Sequence, residues 1–512
     1  MQAANRVIYN TFLLYGKTAI TLVISLYTTR IILEALGAED FGLFNLIAGL
    51  VAMFSFLNAT MATATQRFIS FNKGTNDLIR QKKIFANSVI LHIVVSLVVV
   101  FVLEVGGLYF LNNELKIPNN KAFEANLLFH FVVATAFITI NSVPYDAVLN
   151  ANENIFFLVI TNIIESVLKL LAAFYIAFIN NDKLFVYGLS LLIINFSILV
   201  IKKIYVKNNY DEAKVVYAKE YDKPTIKELT SFASWNLFGI FSYLGRTQGL
   251  SILFNLFFGI FINAAYAISN QVATQINFFS VMMLQALNPQ IMKNEGADNR
   301  ENMLKLAFVA SKFGFLLLSI ISLPIIFEMK PILSLWLVEV PYRTSEICIY
   351  SLLALMVNQL TIGIDSAIHA SGNIRKYMFV VGSLKLGVLP AAYILLKFNC
   401  SLNLVFYAYI IFEALGSISR LFILKLQMGV PVKSYLNKVV FKVIPVILIV
   451  TILDFFIVTI LDFKFRFVLT TIASIIVFCI STYYLALSNE EKSFSKKLIF
   501  QFKSKFVGYL NL

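Results

Sequence analysis

The sequence predicts an all-α polytopic membrane protein of about fourteen transmembrane helices. Three observations carry this: an apolar content too high for a soluble fold, long hydrophobic stretches recurring along the whole chain, and Lys and Arg concentrated in every second connection. The chain has 512 residues, 59% of them hydrophobic and 14% charged, where soluble domains run near half apolar and about a quarter charged. A soluble core of this size cannot hide that much apolar surface, whereas a bilayer solvates it. With 49 Phe but only 2 Trp, interfacial aromatic anchoring falls to Tyr.

A span needs about 20 mostly apolar residues. Taken in order, the stretches that qualify are 8–33, 41–66, 84–111, 123–147, 155–179, 184–206, 230–257, 261–288, 304–327, 345–369, 376–396, 402–424, 440–461 and 466–487. The first is too long for the apolar core of a signal peptide and lacks a small-residue cleavage site, so it reads as a retained span.

If the first stretch crosses, the loops alternate between two faces. The face that holds the N-terminus carries 27 Lys and Arg, among them Arg67, Arg80, the seven from Lys202 to Lys227, Lys293, Arg375 and the tail from Lys492 to Lys505; the opposite face carries 8. Positive charge accumulates on the cytoplasmic side of membrane proteins. The expectation is a multi-pass membrane protein with both termini cytoplasmic. The net charge of +14 is then topology, and no nucleic-acid partner is expected.

The longest basic-face loop, about 207–228, cuts the chain after six spans, and the two parts match at a steady offset. Gly37, Phe44, Gly74 and Lys83 align with Gly259, Tyr266, Gly296 and Lys305 at an offset of 222; Asp146, Leu149, Ala151 and Asn154 align with Asp365, Ile368, Ala370 and Asn373 at 219; Tyr187 aligns with Tyr407 at 220. Six spans per copy keep both copies in one orientation, which defines parallel repeats about an axis along the membrane normal. The expected domains are an N-lobe, 1–206; a linker, 207–228; a C-lobe, 229–428; and an appended pair of helices with a basic tail, 429–512. Two lobes with a cleft between them suit alternating access.

Seven cations fall inside the spans: Lys17, Arg30, Lys169, Arg246, Lys312, Lys385 and Arg420. A charge at mid-bilayer costs at least about 2.5–3.5 kcal/mol on insertion scales, so such residues face a bundle interior or a wet cavity. Glu165 and Lys169, at i and i+4, form one expected ion pair; Glu413 and Arg420, two turns apart, form another. Glu104 is also deep. The second span of each copy is polar, with Asn45, Asn58, Thr60, Thr63, Thr65 and Gln66 in one and Asn270, Gln271, Thr274, Gln275 and Asn277 in the other. These read either as interhelical hydrogen bonds or as the wall of a wet cleft. The cavity so assembled is net cationic and suits an anionic ligand, with Arg able to grip phosphate in a fork.

Cys348, Cys400 and Cys479 have no disulfide or metal spacing, and His92, His130 and His369 are scattered. The sequence holds no Walker A motif, no H-E-x-x-H and no soluble catalytic domain. Transport is favoured over catalysis, with no resident metal or cofactor.

The runs L-G-A-E-D-F-G-L-F-N (Leu36 to Asn45), F-L-N-A-T-M-A-T-A-T-Q-R-F (Phe56 to Phe68) and A-L-N-P-Q-I-M-K-N-E-G (Ala286 to Gly296) resemble those of Wzx-type O-antigen and polysaccharide flippases of the multidrug/oligosaccharidyl-lipid/polysaccharide (MOP) exporter superfamily. The resemblance implies a MATE-like fold of two six-helix lobes plus two helices. It also implies translocation of an undecaprenyl-pyrophosphate-linked oligosaccharide between leaflets, membrane lipid around it, and a downstream glycan polymerase or ligase as partner. Arg30 sits where such proteins carry a basic residue in the first helix, and Arg246 lies in the seventh. The seventh helix departs from a common pattern in having no acid over Arg246 to Leu250. Coupling to H+ or Na+ would then fall to Glu165, Glu413 or Asp365. The competing reading is a cation-coupled multidrug exporter of the same superfamily, which calls for a carboxylate-rich cavity. A membrane-embedded glycan polymerase or ligase is disfavoured, because the longest loop on the less basic face, about 328–344, is short and has no His.

Overall fold

The computed structural model describes residues 2–52, 55–113, 121–179, 182–337, 340–463 and 465–493. Lys116, Lys464 and the tail cations after Lys492 lie outside the described residues. Among the described residues there is no strand. The principal helices are α1 (Gln2–Ala52), α2 (Ser55–Gly74), α3 (Leu78–Asn113), α4 (Ala122–Ala151), α5 (Ile155–Phe178), α6 (Lys183–Asn209), α7 (Lys223–Phe258), α8 (Ile260–Gly296), α9 (Arg300–Phe327), the bent pair α10 (Thr344–Gln359 and Ile362–Ser371), α11 (Arg375–Lys397), α12 (Leu402–Met428), α13 (Val432–Ile460) and α14 (Arg466–Ala486).

Ten of these are long and apolar enough to cross a membrane, and α10 makes eleven if its two pieces, bent by 44°, count as one span. The other three, α2, α7 and α8, are diluted by polar side chains. At 36 and 37 residues, α7 and α8 run to about 54–56 Å at 1.5 Å per residue, well beyond the hydrocarbon core of about 30 Å.

The repeat is written in the backbone. α1 breaks at Gly37 and α7 gives way to α8 at Gly259, and both glycines are left-handed, with φ of 78° and 77°. Asn76 and Asp298 are left-handed too (φ 56° and 54°), as are Glu153 and Gly372 (58° and 80°). After the second of these pairs, Asp77 and Asn299 stand as equivalent helix caps. Asp77 accepts from the Arg80 amide at 2.9 Å and Asn299 from the Asn302 amide at 3.2 Å, each side-chain oxygen satisfying an N–H that the first helical turn cannot.

The chain forms two compact units. The first comprises residues 1–241, 285–304 and 367–379, and the second 242–284, 305–366 and 380–512. The first unit therefore holds α1–α6 and also the basic-face ends of helices from the second copy. Its apolar core includes Ile47, Leu103, Phe129, Ile176 and Tyr187. The second unit has two apolar clusters, one around Phe254, Tyr266 and Phe406, the other around Leu318, Leu352, Val446 and Phe478.

Loop contacts obey the predicted alternation. On the basic face of the first unit, Lys73 reaches Asn152 at 2.5 Å and Glu212 at 3.1 Å, Arg80 reaches Glu228 at 2.6 Å, and Gln290 donates to Glu153 at 3.1 Å. These join the loops after α2, α4, α6 and α8. On the opposite face, Lys121 pairs with Asp40 at 2.6 Å and Lys183 donates to the Ala35 carbonyl at 3.1 Å, joining the Gly37 break within α1 to the connections after α3 and α5. In the second unit Arg466 pairs with Glu328 at 2.9 Å, again joining two odd connections.

Candidate functional site

Each unit gathers part of the intramembrane charge into one cluster. In the first unit, α2, α4, α5 and α6 enclose a cavity of about 400 Å³ lined by Asn58, Ser142, Asp146, Asn162, Glu165 and Lys202, among others. The expected pair forms: Lys169 Nζ lies 2.6 Å from Glu165 Oε1, one helical turn apart on α5. A second pair escaped the sequence reading. Lys202 Nζ, buried, lies 2.8 Å from Asp146 Oδ1. Lys202 counts as a loop cation when charges are sorted by face, yet the sixth span, drawn at 184–206, already encloses it. Lys17 stands within electrostatic reach of Glu165, Asp146 and Lys202 but pairs with none of them. Arg30 is exposed on α1 and forms no ion pair with any described residue.

In the second unit, Arg246 Nη1 is bonded to Glu413 Oε1, and both side chains are buried. The guanidinium lies over the rings of Tyr409 at 4.7 Å and Tyr243 at 5.3 Å. Lys385 Nζ lies 5.6 Å from the Tyr243 ring centroid, with Glu413, Arg246, Arg420 and Asp365 all in electrostatic reach. The tyrosines were not singled out from the sequence. Their signal is their place: Tyr243 lies three residues before Arg246 and Tyr409 four before Glu413, so each shares a helix face with its charged neighbour.

Three expectations are corrected. Glu413 pairs with Arg246 instead of Arg420; seven residues on one helix are about 10.5 Å apart along the axis, whereas α7 presents a guanidinium directly across. Arg420 turns to α10, where Nη1 donates to Asn358 Oδ1 at 2.6 Å, the Asn358 carbonyl at 3.0 Å and Thr361 Oγ1 at 3.1 Å, at the bend between the two halves of that helix. Lys312 is no cavity cation: it is buried, 2.5 Å from Glu491 and 3.2 Å from the Ala486 carbonyl. Of the polar residues in the second span of each copy, Asn45, Thr60, Thr63 and Thr274 donate to carbonyls four residues back in their own helices instead of across to another helix, a habit of such side chains in helices. Asn58 alone of the first set lines the cavity. Glu104 lies 3.0 Å from His130.

Once pairs are assigned, the cationic excess shrinks. Lys169, Arg246 and Lys312 have carboxylates; Lys17, Arg30 and Lys385 have none within ion-pair distance among the described residues.

No family model and no curated protein matches the chain. Solved structures do. A MOP superfamily transporter from Pyrococcus furiosus, whose description reports a binding pocket of reverse polarity that suggests a different function, aligns with a TM-score of 0.70 at 12% identity over 83% of this chain and 96% of its own. An outward-facing multidrug-resistance MATE transporter aligns with a TM-score of 0.70 at 12% identity over 85% and 96%. A MATE transporter in a bent conformation gives 0.70 and 12% over 85% and 97%. The chain has the MOP-transporter fold. At this identity, the fold alone is shared.

Proposed function

We propose that this MOP-fold protein flips a pyrophosphate-linked polyprenyl oligosaccharide, of the kind that supplies O-antigen or a related surface glycan, across the bacterial inner membrane from the cytoplasmic leaflet. The basic face is then cytoplasmic, and the protein is a transporter and not an enzyme. The observation that supports this is the set of cations left over after pairing. Lys17, Arg30 and Lys385 form no ion pair with described residues, whereas Asp146, Glu165 and Glu413 each have a cation within 4.0 Å. An intramembrane cation without a carboxylate is costly unless an anion meets it, and a pyrophosphate supplies that anion. An organic cation, the cargo of a multidrug exporter, would find those three carboxylates already engaged. Coupling to H+ or Na+ is placed at the α4–α5–α6 cavity, where Asp146 and Glu165 both line open volume. Glu413, locked to buried Arg246, is less suited. A glycan polymerase or ligase would draw on the delivered cargo.

The test is flipping in proteoliposomes, read as loss of protection of a lipid-linked sugar from an added glycosidase. Arg30→Gln and Lys385→Gln should each slow flipping at least tenfold at normal protein level and thermal stability. Flipping at the parental rate in both variants would sink this reading, and cargo-independent extrusion of ethidium by all three proteins would favour the exporter.

A further inference from the structure

A second cavity, of about 690 Å³, opens within the first unit on the basic face. Arg67 on α2, Phe232 and Trp235 on α7, and the Ser371–Arg375 turn before α11 line it. Arg67 is only 7% exposed. Its Nε and Nη2 donate to the Ala370 carbonyl at 3.3 and 3.1 Å, and its guanidinium lies 4.6, 4.7 and 5.7 Å from the ring centroids of Phe68, Phe71 and Phe232. Nη1 has no partner among the described residues, and no described carboxylate stands within ion-pair distance of the group. The approach is built in: Gly372 holds φ +80°, and a Cβ there would collide with Arg67 Nη2.

A buried guanidinium without a carboxylate is costly. Ring faces offset part of that cost, and the remaining fork faces open volume. Two more cations stand at the rim, Lys227 and Arg375, the latter 5.4 Å from the Trp235 ring centroid. The one lining carboxylate, Glu228, is held by Arg80 at 2.6 Å. We propose that this pocket binds a phosphate or pyrophosphate group, gripped by Arg67 and Arg375 with Lys227 and backed by the Trp235 ring. The chemistry fits a free polyphosphate and a lipid phosphate equally. The site is separate from the α7–α12 cluster around Arg246 and does not depend on the cargo proposed above. Because Arg67 also ties α2 to the end of α10, an arriving anion competes with the Ala370 carbonyl for the same guanidinium.

The chain has two tryptophans, Trp235 and Trp336, so Trp336→Phe leaves Trp235 as sole reporter. In full-length protein in zwitterionic nanodiscs, inorganic pyrophosphate should change Trp235 emission saturably, with sodium chloride at equal ionic strength as control. A second arm replaces the lipid with phosphatidylglycerol. A pyrophosphate response in the first arm assigns a site open to soluble polyphosphate; a response only in the second assigns a lipid headgroup. Arg375→Gln and Lys227→Gln, both exposed on the rim, should each weaken binding at least fivefold, and Arg67→Gln should abolish it. Lys385→Gln should leave it unchanged, which separates this site from the flipping proposal. No response in either arm, a response matched by sodium chloride, or full affinity in the Arg375→Gln/Lys227→Gln double variant would overturn the site.

Discussion

Gly74 and Gly296, equivalent residues of the two copies, face one another's helices across a single crossing. A Cβ added at Gly74 would overlap the Lys293 carbonyl oxygen, and one added at Gly296 would overlap the Phe71 carbonyl oxygen. Each glycine thus admits the backbone of the other copy, which small residues permit between membrane helices. The crossing lies within the first unit, between the basic-face ends of α2 and α8.

The crossing predicts a sharp contrast among glycines. Gly74→Ala or Gly296→Ala must push backbone from backbone and should cost about 1–3 kcal/mol, the range for overpacking. Gly42→Ala, where an added Cβ meets nothing within 4 Å, should stay within about 0.5 kcal/mol. Melting temperatures in detergent check this; equal shifts in all three variants would contradict the crossing.

Breaking the Arg246–Glu413 pair should be worse than removing it. Glu413→Gln leaves a buried guanidinium uncompensated and should destabilise by about 3–5 kcal/mol, the range for breaking a buried pair, whereas Arg246→Met/Glu413→Leu should recover much of that loss. A double-mutant cycle on unfolding midpoints reads the coupling. Additive effects would show that the pair is not an energetic unit.

Lys312 should behave as a structural residue. Lys312→Met should lower folded yield without changing the half-saturating cargo concentration of whatever protein remains, and Lys312→Glu/Glu491→Lys should restore yield. A change in cargo affinity at normal yield would return Lys312 to the binding site.

On the basic face, Asp222 caps α7 and accepts from the Thr225 amide at 3.0 Å. Hydrogen bonds from Thr225, with Lys83 and Arg80 nearby, hold its carboxyl below the usual carboxylate range. A lowered folded value means stability that is present above the unfolded pKa, about 3.9, and is lost as pH falls through the folded value. The melting-temperature gap between the parent and Asp222→Asn should therefore be constant from pH 7 to about 5 and close below about pH 4. A gap that persists to pH 2.5 would assign the effect to something other than ionisation.

What the sequence determined by itself is what repeats or accumulates along the chain. Hydrophobic length, the alternation of Lys and Arg between loops, and the offsets joining Gly37 to Gly259 and Gly74 to Gly296 are one-dimensional properties, and each reappears as a helix, a face or a left-handed turn. The Glu165–Lys169 pair was legible for the same reason: it is local to one helix turn. The partner of every other deep charge was decided by tertiary structure. Glu413 could have met Arg420 on its own helix, but Arg246, 167 residues away, is the one packed against it; Lys312 found Glu491 beyond α14, and Lys202 found Asp146. Ion-pair energy falls steeply with distance and rises with burial, so pairing follows which helices touch, and sequence separation says nothing about that. The pocket around Arg67 was hidden likewise, because its walls come from α2, α7 and the turn before α11, which only folding brings together.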